Sequence, residues 1–274
     1  MSVAHRPVPD DFRGVWQRTL LQTDTQAGQA PHSDSSSWVR WLQTSSWHAD
    51  LRVPATAMLD RTPRPLAELS ATQLAALATQ QGFVGITQVD HEAEGPCCTW
   101  LRRADYQPPS MNPDAGMMLF DRADRVIEVG VHDDYNEVWE RLPESVGRFI
   151  TLAGSGPDGL DNGERILVAG RYLMWVRPRR VRWPRGLRPG CTLVDVLLHS
   201  PDEARAWLDC EISFGALEGE AWVIERSTLP EREGQSWAWQ ARRTEPALAE
   251  LDVNGHRSSW QVLEWTFDGE LLRG

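Results

Sequence analysis

The stretch SSWHADLRVP (45–54) sets His48, Asp50 and Arg52 at alternate positions, with Ala49, Leu51 and Val53 between them. A period of two is that of a strand, so the polar trio shares one face and the apolar trio the other. A guanidinium on such a face can grip a carboxylate through two parallel N–H···O bonds, with a neighbouring aspartate holding it in place. His48, Asp50 and Arg52 are therefore candidates for the polar floor of a ligand cavity. The competing reading is a solvent face, or an Arg–Asp pair that only closes the sheet. His48-Ala-Asp50 also has the H-x-D spacing of a two-His-one-carboxylate iron site, with His132 as a third ligand. Dipeptide-level matches of this kind are common, and the expectation is no metal.

A second cluster lies in EVGVHDDYNEVWERLP (128–143). Asp133-Asp134 marks a turn, Glu128 precedes it, and Tyr135, Glu137, Trp139 and Arg141 follow on one face. Burial raises a carboxylate pKa towards neutrality, which suits proton transfer near pH 7. Glu128, Glu137 and Tyr135 are the candidate catalytic residues, against the alternative of ordinary surface carboxylates. Further on, Glu211 and Ser213 alternate to one side, and Ser227, Glu231 and Glu233 lie in STLPEREG. No G-x-S-x-G elbow surrounds either serine, so neither is expected to be a nucleophile. His199 is read as a capping or solvent residue.

Composition removes several chemistries. All 28 basic residues are arginine, so Schiff-base catalysis, a lysine-anchored pyridoxal and a phosphate-loop lysine are excluded. The net charge of −11 argues against nucleic acid and anionic membrane as partners. One basic run, RPRRVRWPRGLRP (177–189), opposes that trend and is read as a solvated connection between strands. Cys97, Cys98, Cys191 and Cys210 form no CxxC spacing, so no zinc ribbon or thioredoxin-type motif is indicated. The first residues lack the basic and apolar regions of a signal peptide, and no apolar run approaches ~18 residues. The expectation is a cytoplasmic protein without a cofactor.

These side chains must be positioned by short strands, because period-two patterning dominates the chain. Strands are predicted over 38–43, 49–54, 82–90, 98–106, 116–121, 125–131 and 136–142 in the first half. GRFITLAG, ERILVAG, RYLMWVRP, 191–199, 207–217, 220–229, 236–242 and 258–267 continue the series. Asp161-Asn162-Gly163 is a tight-turn signal. A single helix is expected from 66 or 71 to 81, on a Ser70–Gln73 capping box with Gly82 as terminator. SPDEARAW (200–207) is read as one helical turn. In Gly14-Val-Trp16 the glycine lets chain pass close at the bottom of a barrel, and the tryptophan two residues on plugs that end.

The residues DFRGVWQRTL, WLQT, ADLRVP, CTW, DYQPP and DYNEVWER together resemble a lipocalin-like family of tandem barrels. That family includes a fungal casein-kinase-interacting protein and bacterial relatives. The resemblance runs over nearly the whole chain and is more specific before residue 142; Leu101 stands where the family pattern has histidine. It implies an all-β fold of two tandem lipocalin-like antiparallel barrels, 10–143 and 146–274, with one short helix in the first. It implies that Arg141 packs on Trp16. It also implies binding of small apolar molecules. Joined to the polar strand face above, the leading expectation is a small, largely apolar ligand, one that can bear a carboxylate, in the N-terminal barrel, with Arg52 as anion clamp, Asp50 and His48 as its partners and Trp38, Trp41 and Trp100 as candidate pocket walls. Two further readings stay open: a cavity enzyme doing acid–base chemistry (isomerase, cyclase or hydrolase), and a protein–protein adaptor. The ligand's identity and the oligomeric state are not set by the sequence.

Overall fold

The computed structural model describes residues 6–23, 32–58, 62–93 and 95–267. The first half runs through β1 (Gly14–Thr23), β2 (His32–Asp34), β3 (Trp38–Gln43), β4 (Trp47–Val53), β5 (Gln81–Glu92), β6 (Gly95–Asp105), β7 (Asp114–Arg122), β8 (Arg125–Gly130) and β9 (Tyr135–Arg141). From β3 to β9 each strand pairs antiparallel with the next. β1 pairs with both β3 and β9, which closes an eight-stranded barrel, and β2 extends the edge along the end of β1.

The second half repeats the architecture. It uses β10 (Phe149–Ser155), β11 (Asp161–Ala169), β12 (Tyr172–Arg177), β13 (Glu211–Glu218), β14 (Ala221–Ser227), β15 (Ser236–Glu245), β16 (Leu248–Val253) and β17 (His256–Trp265). β17 pairs back to β10, so this sheet is also a closed antiparallel barrel. Closure leaves no sheet edge for a stray strand to extend.

Alternation along the strands divides the apolar residues among three cores. In β3, Val39 and Trp41 point into the first barrel, while Leu42 faces out towards the second. The first barrel's interior gathers Phe12, Trp16, Val39, Trp41, Phe83, Cys98, Trp100, Met118, Val126 and Trp139. The second is filled around Trp222, Trp239 and Trp260. The largest core lies between the barrels, where Leu42, Leu51 and Val84 meet Met174, Ile212 and Phe214. The contact carries polar links too: Trp38 Nε1 donates to Glu225 at 2.9 Å, and the Arg165 guanidinium lies 4.6 Å from the Trp47 ring centre.

Gly14 has φ +125, and a Cβ there would lie 2.9 Å from Ser145 Oγ and 3.0 Å from Arg141 Cδ. A glycine is needed on both counts. Trp16, two residues on, is fully buried and donates through Nε1 to Phe12 O at 2.8 Å. Arg141 sits 5.2 Å over its ring, so the opening strand is plugged and clamped as the resemblance implies.

The helices are short. In α1 (Ala71–Leu77), Ser70 Oγ accepts from Gln73 N, and Gln73 Oε1 accepts from Ser70 N at 3.0 Å. Ser70→Ala should cost about 1 kcal/mol, read as a lower urea midpoint with an unchanged m-value. Gly82 does not terminate this helix. It lies inside β5 with its Cα face against Ile212 of the other barrel, where a Cβ would come to 2.7 Å.

Two further expectations are corrected. The segment 191–199 is not a strand: Leu193–His199 forms α2, started by a Thr192–Asp195 capping box that competes with its β-branched, apolar content. The tight turn before β11 falls at Pro157–Gly159, with φ +76 at Gly159, and Asp161-Asn162-Gly163 opens the strand itself. The helical turn in SPDEARAW is present as Pro201–Glu203 and α3 (Ala204–Leu208). The basic run leads from β12 into α2 rather than into a strand. Val181, Trp183 and Leu187 pack from it onto the inter-barrel core.

Candidate functional site

The floor of the first barrel is solid. Trp16 stacks on Trp41 with ring centres 6.0 Å apart, and Trp100 and Trp139 meet Trp41 edge-on at 5.7 and 5.9 Å. His48, Asp50 and Arg52 do share the inward face of β4, but they part company there. His48 is fully buried, with Nδ1 3.0 Å from Thr87 Oγ1, and Thr87 in turn donates to Gln43 Oε1 at 2.7 Å. A hydroxyl whose proton is already placed must accept from the ring, so His48 carries its proton on Nδ1. Burial, aided by the charge on Arg102, pushes its pKa well below the usual value and keeps it neutral. His132 is exposed in the β8–β9 hairpin, and among the described residues no three His, Cys, Asp or Glu side chains could hold a metal.

Above the floor lies a charged layer. Arg52 Nε donates to Asp50 Oδ1 at 2.9 Å, and its Nη1 lies 3.3 Å from Glu137 Oε1. Arg18 Nη1 reaches the same Glu137 oxygen at 2.6 Å, while its Nη2 meets Asp34 Oδ2 at 3.0 Å. Burial works against the charge on Arg52, but Asp50 and Glu137 outweigh it and hold the guanidinium protonated. The other oxygen of Glu137, Oε2, is buried and has no hydrogen-bond partner among the described residues. Across β6, Arg102 stacks 3.7 Å over Phe83 and pairs with Asp105 and Asp114, each at 2.7 Å.

Glu128 faces Glu137 directly across the β8–β9 ladder. Its carboxyl fits because residue 116 is glycine: a Cβ there would lie 2.6 Å from Glu128 Cγ. The Tyr135 hydroxyl donates to Glu128 Oε1 at 2.6 Å, and Trp139 Nε1 donates to Oε2 at 3.0 Å. Burial, reinforced by the charge of Glu137, pushes the Glu128 pKa up to about 8. Burial and Glu128 together drive the Tyr135 hydroxyl well above the phenol range. At neutral pH Glu128 thus holds its proton beside a Glu137 carboxylate gripped by two arginines.

This layer opens into a cavity of about 380 Å³, lined among others by Arg18, Asp34, Arg52, Asp114, Tyr135 and Glu137. A larger cleft of about 880 Å³ lies between β6–β7 and the basic run, with Trp100, Arg102, Arg179 and Trp183 in its walls. Asp114 and Tyr135 line both spaces.

The structure therefore brings Asp50, Arg52, Glu128, Tyr135 and Glu137 into one connected group and leaves His48 below it. Of the three tryptophans read as pocket walls, Trp100 lines the cleft and Trp41 is part of the filled floor. Trp38 is on the outside of the barrel, packed on Phe214 with ring centres 5.5 Å apart, because its neighbours Val39 and Trp41 take the inward positions. Arg52 is not a free clamp, since both sides of its guanidinium are taken by Asp50 and Glu137. Four charged members escaped the sequence reading: Arg18, Asp34, Arg102 and Asp114. Arg18 was within reach of it, being two residues from Trp16 on the same strand face; Asp34 and Asp114 arrive only through tertiary pairing.

In the second barrel, Ser213 Oγ donates to Glu211 Oε1 at 2.9 Å and lies 2.8 Å from Ser227 Oγ, which accepts from Leu229 N. Arg232 Nε lies 3.4 Å from the same glutamate.

The fold and its contents define a class: a tandem pair of closed eight-stranded antiparallel barrels, tryptophan-filled, the first with a charged mouth. Compared with known proteins, the chain matches no protein-family model, no curated protein and no solved structure. Among the described residues no helix is long and apolar enough to cross a membrane.

Proposed function

We propose that this chain is a member of the tandem lipocalin-like barrels that binds a small molecule in the mouth of its N-terminal barrel. The observation that carries the reading is the 380 Å³ cavity at the mouth of the first barrel, lined by ion-paired Arg18, Asp34, Arg52 and Glu137 above a floor that is filled. The cavity sets the ligand's character. Two arginines, Arg18 and Arg52, line it against three acids, Asp34, Asp114 and Glu137. With the floor filled by tryptophan, the mouth favours a polar, uncharged molecule over a largely apolar or carboxylate-bearing one.

Saturation-transfer NMR with a library of small neutral polar fragments tests this. Hits on the wild-type protein should weaken at least tenfold in Glu137→Gln, which neutralises one of the three acids that balance the arginines lining the cavity. Fragments that bind both proteins equally, or none that bind the wild type, would remove the mouth from consideration. An apo protein with no fragment hits would move weight to the adaptor reading.

A further inference from the structure

A second binding surface lies beside the mouth and stands on different arginines, so it does not depend on that reading. β6 and β7 stay paired only from Cys97↔Met117 to Trp100↔Asp114. β6 then continues to Asp105 against β5 alone. The space left beside Leu101–Asp105 is the cleft of about 880 Å³, and the basic run forms its far wall. That wall is tied down. Arg179 Nη2 donates to Tyr106 O at 2.5 Å, and its guanidinium carbon lies 3.8 Å from the Trp183 ring centre. Trp183 in turn stacks on Trp207 of α3, with ring centres 5.6 Å apart and planes 5° apart. Further along, Leu193 N donates to Gln107 Oε1 at 2.9 Å. Both walls are thus ordered by the fold itself, which leaves little to immobilise on binding.

Local and overall charge oppose each other here. The chain carries −11, yet no Asp or Glu occurs from Pro178 to Val194. Arg102, Arg103, Arg179 and Arg182 line the cleft against Asp105, Asp114 and Asp133, an excess of one positive charge. Their commitments differ. Arg102 is engaged by Asp105 and Asp114, and Arg179 by Tyr106 and Trp183. Arg103 on the barrel wall and Arg182 on the facing wall are exposed, and neither has an ion pair or side-chain hydrogen bond among the described residues. Asp133, in the exposed β8–β9 hairpin, pairs with neither. The two walls therefore each present a guanidinium that solvent reaches and no acid occupies. Much of the remaining lining is apolar, with Pro109, Pro113, Pro178, Val181 and Trp183 among it.

We propose that this cleft binds an aromatic carboxylate. The carboxylate supplies the one negative charge by which the walls are out of balance, and its two oxygens accept from Arg103 and Arg182. The ring lies against the prolines, Val181 and Trp183, where it takes flat apolar surface out of water. A volume of about 880 Å³ is that of a pocket for an organic molecule and far exceeds what a bare inorganic anion fills. A dianion overshoots the excess in a chain that is already strongly negative.

The test is isothermal titration calorimetry with 2-naphthoate, 2-naphthol, 2-naphthyl phosphate and acetate. 2-Naphthoate should bind, with the naphthol, the phosphate ester and acetate each at least tenfold weaker. Arg103→Gln and Arg182→Gln should each weaken 2-naphthoate about tenfold, and the double variant should bind none measurably. Arg180→Gln removes the same charge from the same exposed run but from a residue outside the cleft lining, and should stay within twofold of wild type. Unchanged Tm values for these exposed positions confirm that the fold is kept. Equal weakening by Arg180→Gln would overturn the site and leave a general attraction of anions to the basic run. Naphthol binding as tightly as naphthoate would overturn the role of the arginines, and acetate binding as tightly would overturn the aromatic part. Tighter binding of the phosphate ester would overturn the single charge. No binding of 2-naphthoate would overturn the proposal outright, and the fragment hits at the mouth would be untouched by that result.

Discussion

Replacing Arg52 by methionine should cost about 3 kcal/mol or more, a fall in Tm of about 10 °C. The guanidinium is the shared partner of Asp50, which is 2 % exposed in its side chain, and Glu137, which is 3 % exposed. Removing it leaves a charge deficit next to two carboxylates that water barely reaches. Glu137 retains Arg18 at 2.6 Å, whereas Asp50 keeps only the weaker influence of the Arg102 charge, so most of the loss falls on Asp50. Adding Asp50→Asn to Arg52→Met should therefore recover a good part of the stability, a coupling that a double-mutant cycle reads directly. A loss below ~1 kcal/mol for the single variant, as exposed ion pairs give, would mean that the layer is solvated and that the site reading is wrong. The same argument disqualifies Arg52→Ala as a probe of ligand binding, because it disturbs the layer before any ligand is considered. Glu137→Gln and Tyr135→Phe keep the arginines paired and are the cleaner variants.

The fold was largely written in local patterning, and the site only partly. β3 coincides with WVRWLQ because alternate residues there must satisfy two different cores, and neither core tolerates a slip of one residue. The inward face of His48, Asp50 and Arg52, and that of Tyr135, Glu137 and Trp139, follow from the same alternation. What alternation does not supply is depth along the strand. His48 lies level with Gln43 and Thr87 under the charged layer, and only the register of β3, β4 and β5 tells it apart from Arg52. Nor does it say which face meets the other barrel, and so Trp38 was read as a pocket wall. β16 is not signalled by LAELDV because two of its three outward positions, Glu250 and Asp252, are acidic and it lacks the aromatics of its neighbours. The Asn254-Gly255 turn after it, with φ +51 and +82, was the available signal. The α2 segment went wrong for the opposite reason: Val194 and Val196 favour a strand, while the Thr192–Asp195 capping box decides for a helix.

Glu128→Gln should stabilise the protein, and increasingly so as the pH rises from about 5 to about 8. The direction follows from proton linkage. A carboxyl raised from 4.5 to about 8 on folding keeps its proton in the native state over a range where the unfolded chain has released it. Between those two values the native state binds more protons than the unfolded state, so stability falls with rising pH; below the lower and above the higher it no longer changes. Glutamine has the same shape, still accepts from Trp139 through its oxygen and donates to Tyr135 through its nitrogen, and has no proton to lose. Asp50, also raised by burial, contributes a slope of the same sign, but it is present in both proteins and cancels in the difference. From pH 6 to pH 8 the gap between variant and wild type should widen by about 2 kcal/mol, or about 5 °C in Tm, and level off above pH 8. Parallel Tm curves would show that Glu128 is already ionised at pH 6, its charge held by the Tyr135 and Trp139 donors alone. The measurement needs no ligand. It therefore tests the electrostatics of the mouth apart from the matter of which molecule enters it.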